Sequence, residues 1–304
     1  MGVDVGSLAT AGRARDHGSA LSGAVARAVA RLWGAYALNV YLPGSASARR
    51  LRNLSRSIRG VHRQDRHATR LPQAAWPELL ARKAIYLIET GKRDGNVNLA
   101  ELAILAQAAA ATRPGTIIVE IGTFDGRTTM NLAVNAQVPV ITLDLPSEHI
   151  ALHELAAGER QYVDKPRPGE RVRAAAWPWS AAARRIAQLY GDSATFDWSE
   201  HDGKAGLVFV DGSHAYEYVR KDSETALRLV AAGGMVMWHD YGAWEGVTRA
   251  LEELEASRKL GLRHIRGTRL VFWRAQDSGE DRASVLDNAD APARAGDQPP
   301  TISS

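Results

Sequence analysis

No cysteine occurs among the 304 residues. Disulfide frameworks, thiolate zinc sites, iron–sulfur clusters and thiol nucleophiles are therefore excluded. A reducing, cytoplasmic setting is the expectation that follows. No stretch approaches the ~20 uninterrupted apolar residues of a membrane span. The nearest, residues 19–42, is broken by Arg27 and Arg31 at i, i+4 spacing, which puts both charges on one face of an amphipathic helix. A basic start followed by a clean apolar run is also missing, so a cleavable signal peptide is a poor fit. Residues 1–70 lack lysine altogether but hold twelve arginines against three aspartates, a surplus of +9; the remainder carries −5. The overall +4 thus describes the arm and not the body. An arginine-rich arm suits an acidic partner, a membrane surface, a second subunit or nucleic acid, and equally a solvated extension.

At 45% hydrophobic and 24% charged, the remaining chain has ordinary globular composition. Three regions are expected: an arginine-rich, partly helical or flexible arm over 1–70, a catalytic domain over 71–275, and a disordered tail over 276–304, which has hardly any large apolar side chains. Helices are expected over 76–90 and 97–111, the second with Leu99, Leu102 and Leu105 on one face. Then the pattern changes. Thr116–Ile121, Val138–Leu143, residues 186–190, Ala205–Val210 and Met235–Trp238 are short apolar runs of the kind buried on both faces of a parallel sheet. Helices are expected between them over 127–135, 214–231 and 244–258, with Gly233-Gly234 as a helix stop. Runs 262–266 and 269–274 suggest a final strand pair. Alternation of this kind predicts a doubly wound α/β domain. The connection 145–183 is long enough to serve as a lid or binding loop.

Polar residues gather where these strands end: Glu120, Asp144, Asp192, Asp211, His239 and Asp240. Ligands of open α/β sheets bind at that edge. One strand-end acid is an ordinary helix cap; a series of them points to a site. The sharpest signal is Glu120-Ile-Gly-Thr-Phe-Asp-Gly126. Its G-x-x-x-G spacing lacks the G-x-G-x-x-G of a dinucleotide turn and suits a ligand without a pyrophosphate.

Glu-x-Gly-x-x-x-Gly after a buried strand resembles the first motif of class I S-adenosylmethionine-dependent methyltransferases. Asp144 matches the acid that such enzymes place on the ribose hydroxyls, and Tyr190-Gly-Asp-Ser-Ala194 resembles the segment beside adenine. Leu207-Val-Phe-Val-Asp-Gly-Ser-His214 and Gly233-Gly-Met-Val-Met-Trp-His-Asp-Tyr241 resemble a narrower group, the bacterial small-molecule and sugar O-methyltransferases. The resemblance runs from about residue 97 to 274. It implies a Rossmann-like, mostly parallel seven-stranded sheet with a reversed terminal strand. It implies a cofactor, S-adenosylmethionine, held by Glu120, Gly122, Thr123, Gly126, Asp144, Asp192, Ser193 and Asp211. It also implies an acceptor hydroxyl on a small molecule or saccharide.

In metal-dependent relatives an acid after the fourth strand and two after the fifth bind magnesium. Asp211 and Asp240 match two of those positions, and His239 stands at the third. That leaves a weaker magnesium site, a softer ion such as manganese, or no metal. Without a metal, proton acceptance falls to a histidine at neutral pH, His214 or His239, each near Asp211 or Asp240. Tyr216, Tyr241 and Trp244 either line the acceptor pocket or pack. Competing readings are a nucleic-acid methyltransferase using the basic arm and a non-catalytic cofactor-binding or interaction module. The first predicts salt-sensitive binding lost with residues 1–70.

Overall fold

In the computed structural model the described residues are 67–76, 83–91, 95–146, 168–176 and 178–276. All belong to the second of two units, 66–304. The helix expected over 19–42 and the tail beyond 276 lie outside them. Among the described residues no helix is long and apolar enough to cross a membrane.

The elements follow in chain order: β1 (Gln73–Ala74), α1 (Leu99–Ala111), β2 (Ile117–Ile121), α2 (Arg127–Asn135), β3 (Val140–Asp144), α3 (Glu170–Arg173), α4 (Ser180–Ala183), β4 (Ile186–Tyr190), β5 (Ala205–Val210), α5 (Tyr216–Leu229), β6 (Val230–Trp238), α6 (Glu245–Arg258), β7 (Arg263–Ile265) and β8 (Val271–Arg274). The sheet order is β1-β7-β8-β6-β5-β2-β3-β4. Only β8 is reversed, antiparallel to both β6 and β7. The expected reversed strand is therefore present, and the sheet gains an eighth member in the two-residue β1, too short to announce itself by pattern.

Strand alternation divides the core between two layers. Val119, Ile121, Leu143, Val208, Val236 and Trp238 face α5 and α6 through Val219, Ala226 and Leu251. Ile118, Val140, Leu207, Phe209 and Met237 face α1 and α2 through Leu102, Leu105 and Leu132. Such side chains, almost wholly buried, each contribute about 1.5–3 kcal/mol. Leu99 is the exception on its helix, since it is 42% exposed.

The chain runs from β2 outward to β3 and β4, then returns to place β5 on the other side of β2. The crevice between the ends of β2 and β5 is thus the switch point, where ligands of such sheets bind. Gly122 and Asp211 face each other across it: a Cβ on Gly122 would lie 2.1 Å from the Asp211 carbonyl oxygen, and its φ is +99°. Only glycine allows that approach.

Two expectations are corrected. Residues 83–90 are not helical. They lie beside α2 outside any helix or strand, because Asn131 and Asn135, one turn apart, take their backbone hydrogen bonds. Ile88 N–H donates to Asn131 Oδ1 at 3.0 Å and Asn131 Nδ2 donates back to Ile88 O at 3.0 Å. Tyr86 and Asn135 repeat the exchange at 2.8 Å each way. Nor do Gly233 and Gly234 stop a helix: α5 ends at Leu229 and both glycines lie inside β6. There the register with β5 shifts, and a Cβ on Gly234 would meet Ala205 O at 2.8 Å.

Candidate functional site

Glu120 ends a hydrogen-bond chain of fixed direction. It pairs with Thr142 across β2 and β3, so both side chains share a face. Thr142 and Thr129 hydroxyls both donate to Glu120 Oε2. Because the Thr142 hydrogen is committed there, Thr123 must donate to Thr142, 2.7 Å away, and Gln188 Nε2 donates in turn to Thr123 at 3.0 Å. Glu120 is fully buried, and among the described residues its Oε1 has no partner. Burial pushes its carboxyl up to about 8, against the pull of the two threonines. An orphaned, buried carboxyl oxygen at the switch-point edge fits a ligand that brings a cation.

The turn after Glu120 is braced from both sides. Asp125 accepts from Asn96 Nδ2 and from Arg127 N–H, each at 3.0 Å, and from Arg171 Nε at 2.9 Å. Arg127, almost wholly buried, reaches the Glu89 and Val97 carbonyls. Phe124 takes a positive φ of 51° and donates its N–H to Asp144 Oδ2 at 2.6 Å; Leu145 N–H donates to Oδ1 at 2.7 Å. Asp144 thereby joins the loops after β2 and β3. A carboxylate has about four acceptor sites, more than these backbone groups fill, so acceptor capacity remains for a hydroxyl. Burial raises Asp144 to about 6. Asp192 accepts from Ala194 N–H and shapes the Ser193 turn at the end of β4.

Across the crevice, Asp211, His214 and Asp240 come together, with one ligand atom from each lying within 4.8 Å of the others. Asp240, in a left-handed conformation with φ 62°, accepts from Arg269 at Oδ1 and pairs with His214 Nε2 at Oδ2, both at 2.9 Å. Trp244 stacks on the His214 ring at 4.3 Å and fixes its plane. Burial opposes charge on Asp240, but His239, His214 and Arg269 hold it well below the ordinary carboxylate range.

His239 is placed differently from His214. Its Nδ1 meets Asp211 Oδ1 at 2.9 Å and its Nε2 meets Glu101 Oε2 at 3.3 Å, behind the sheet edge and only 5% exposed. Burial disfavours its charge, yet Asp211, Asp240 and Glu101 raise its pKa well above the usual value. With carboxylates on both nitrogens, His239 has no free lone pair for a metal and no free base position in this arrangement. Of the expected ligand set, Asp211 and Asp240 thus stand at the cluster and His239 behind it, while His214 completes the trio. Two carboxylates with one imidazole fit a divalent cation such as manganese better than magnesium, which favours oxygen.

Sequence reasoning missed Glu101. It sits on α1 with Asn98 in a capping box and also accepts from Arg269 N–H at 2.8 Å. Burial opposes its charge, but His239 brings it down to about 2. The pattern Asn-x-x-Glu was its available signal, and that pattern reads only as a helix cap. Arg269 and Arg171 carried no local signal. Tyr241 proves to be a packing residue: its hydroxyl accepts from Arg70 and Leu71 N–H and donates to Glu252. Tyr216 pairs with Glu253 beneath Arg249.

A methyltransferase-domain family model matches residues 119–241, from β2 to just past Asp240. No curated protein matches the chain. Among solved structures it is similar to the O-methyltransferase TomG of Streptomyces achromogenes, involved in tomaymycin synthesis and solved with S-adenosylmethionine; identity is 15% over 62% of this chain and 92% of that one, with a TM-score of 0.41. An O-methyltransferase from Bacillus cereus, solved with S-adenosylhomocysteine, is 16% identical over 60% of this chain and 84% of that one, with a TM-score of 0.43. Neither bears on the activity of this chain. Residues 119–241 are thus similar to a methyltransferase domain.

Proposed function

We propose that the protein transfers the methyl group of S-adenosylmethionine to a hydroxyl oxygen of a small molecule or saccharide. The observation that carries this reading is the gathering of Asp211, His214 and Asp240 beside the Glu120–Gly126 turn. A sulfonium methyl is already activated, so the protein has two tasks: to align an oxygen with it and to take that oxygen's proton. Glu120, Gly122, Thr123 and Gly126 would hold the methionine end, with Glu120 Oε1 facing the ammonium. Asp144 would take the ribose hydroxyls, and Asp192 and Ser193 would flank adenine, with Asp211 closing the opposite wall. His214 would take the proton of the acceptor hydroxyl during methyl transfer. Asp240, accepting from Nε2, orients that ring and stabilises the charge it gains. His239, bound to Asp211 and Glu101, holds Asp211 in place.

A second reading has its own observation. Asp211, His214 and Asp240 have the donor set of a divalent-ion site. There they would hold manganese or magnesium, which when bound lowers a hydroxyl's pKa.

The deciding experiment is isothermal titration of the full chain with S-adenosylhomocysteine, with and without manganese, followed by methyl-transfer assays on hydroxylated small molecules and sugars in EDTA or metal. Tight binding is expected. Turnover retained in EDTA and lost in His214→Ala supports the base; turnover restored only by metal supports the ion. No binding under any condition would overturn the cofactor placement.

A further inference from the structure

Asp222 lies on α5, wholly buried, and among the described residues neither of its carboxyl oxygens makes a hydrogen bond of ordinary geometry. An acid left unpaired in a core is costly, so its position calls for a cause. Its surroundings supply one. A Cβ on Gly212 would meet Asp222 Oδ2 at 3.5 Å, and β2 presents Ile121 at the same spot. The carboxyl therefore stands directly behind the residue that follows Asp211. The Ser193 hydroxyl and the Asp192 carboxylate also act on it, with Lys221 as the nearby positive charge on its own helix. Asp222 thus lies between the loop after β4 and the loop after β5. On the cofactor placement proposed above, these loops are the two walls of the adenine slot.

We infer that Asp222 is a positioning residue for cofactor binding, its buried carboxyl setting the spacing between the Ser193 turn and Gly212. It does not touch the cofactor, because both oxygens are sealed from the crevice. In its neutral form it carries no charge against Asp192, and the two walls stay close. Ionised, it repels Asp192 and calls for water, and the walls part. Burial, with Asp192 adding to it and Ser193 and Lys221 opposing, brings the carboxyl to about 7, so both forms are within reach of ordinary buffers. The inference rests on the proposed adenine placement.

The test is S-adenosylhomocysteine binding by titration calorimetry on full-length parent, Asp222→Asn and Asp222→Ala between pH 6 and 8.5. Asparagine keeps the shape and the neutral charge. The parent is expected to lose affinity as pH rises through about 7, by roughly tenfold per pH unit at most. Asp222→Asn should bind like the parent at pH 6 and lack that decline. Glu120 and Asp144 titrate in the same range but are present in every variant, so the difference between parent and Asp222→Asn isolates Asp222. Asp222→Ala should bind about tenfold more weakly at pH 6. An Asp222→Asn profile superimposable on the parent's overturns the inference, and that variant suffices if the alanine form fails to fold. A parent that binds no S-adenosylhomocysteine at any pH overturns the adenine placement itself, and this inference with it.

Discussion

At the residue scale, the acids of this edge are held in opposite states by their neighbours. Glu120, pushed up to about 8, keeps its proton at pH 7, while Glu101, brought down to about 2, does not. A cofactor ammonium beside Glu120 favours its ionised form, so binding at pH 7 should release up to one proton. Titrations with S-adenosylhomocysteine in buffers of different ionisation enthalpy measure that release, and Glu120→Gln should abolish it. Equal release from both proteins would remove Glu120 from the ammonium. Asp144→Ala should weaken the same ligand by roughly ten- to a hundredfold, as expected for lost hydrogen bonds to a charged acceptor; unchanged affinity would move the ribose elsewhere. Asp240→Asn should cut kcat by about a hundredfold or more with the far-UV and near-UV spectra intact. Glu120, Asp144, Asp211 and Asp240 were legible because each ends or follows an apolar run. Thr129, Thr142 and Glu101 were not, because their roles depend on sheet register and helix docking, neither of which is written locally.

Among the elements, the strands and their order of appearance were legible because buried parallel strands have so uniform a pattern. The segment 83–90 was not. Its partners are side chains on a helix more than forty residues away, and its own residues give no sign of it. Asn131→Ala should remove both bonds to Ile88 and leave buried backbone groups unpaired, lowering stability by about 1–3 kcal/mol in urea unfolding. A change near zero would mean that water replaces the amide. Gly234 taught a related lesson: a glycine pair after a helix also suits a strand pressed against a neighbour's carbonyl, and only the pairing of β6 with β5 decides between them.

For the whole molecule, pH dependence sums these opposed groups. Glu120, Asp222 and Asp144 have raised values of about 8, 7 and 6. The folded form keeps protons that the unfolded chain gives up near pH 4, so these groups cost stability progressively as pH rises from there to about 8. Glu101 and Asp240 are lowered, and their contribution is lost as pH falls below about 4. The ligand-free protein should therefore melt highest near about pH 5 and lower at pH 8.5, and thermal scans across that range decide it. A maximum at pH 8 or above would contradict the assignment. The donor chain from Gln188 on β4 runs through Thr123 in the turn after β2 and Thr142 on β3 to Glu120 on β2, and each hydrogen in it is donated toward Glu120. That chain thus presents donors toward Glu120, set at folding and not at binding. When that carboxyl ionises, the compensating field is already aligned, and solvent need not reorganise to stabilise the new charge.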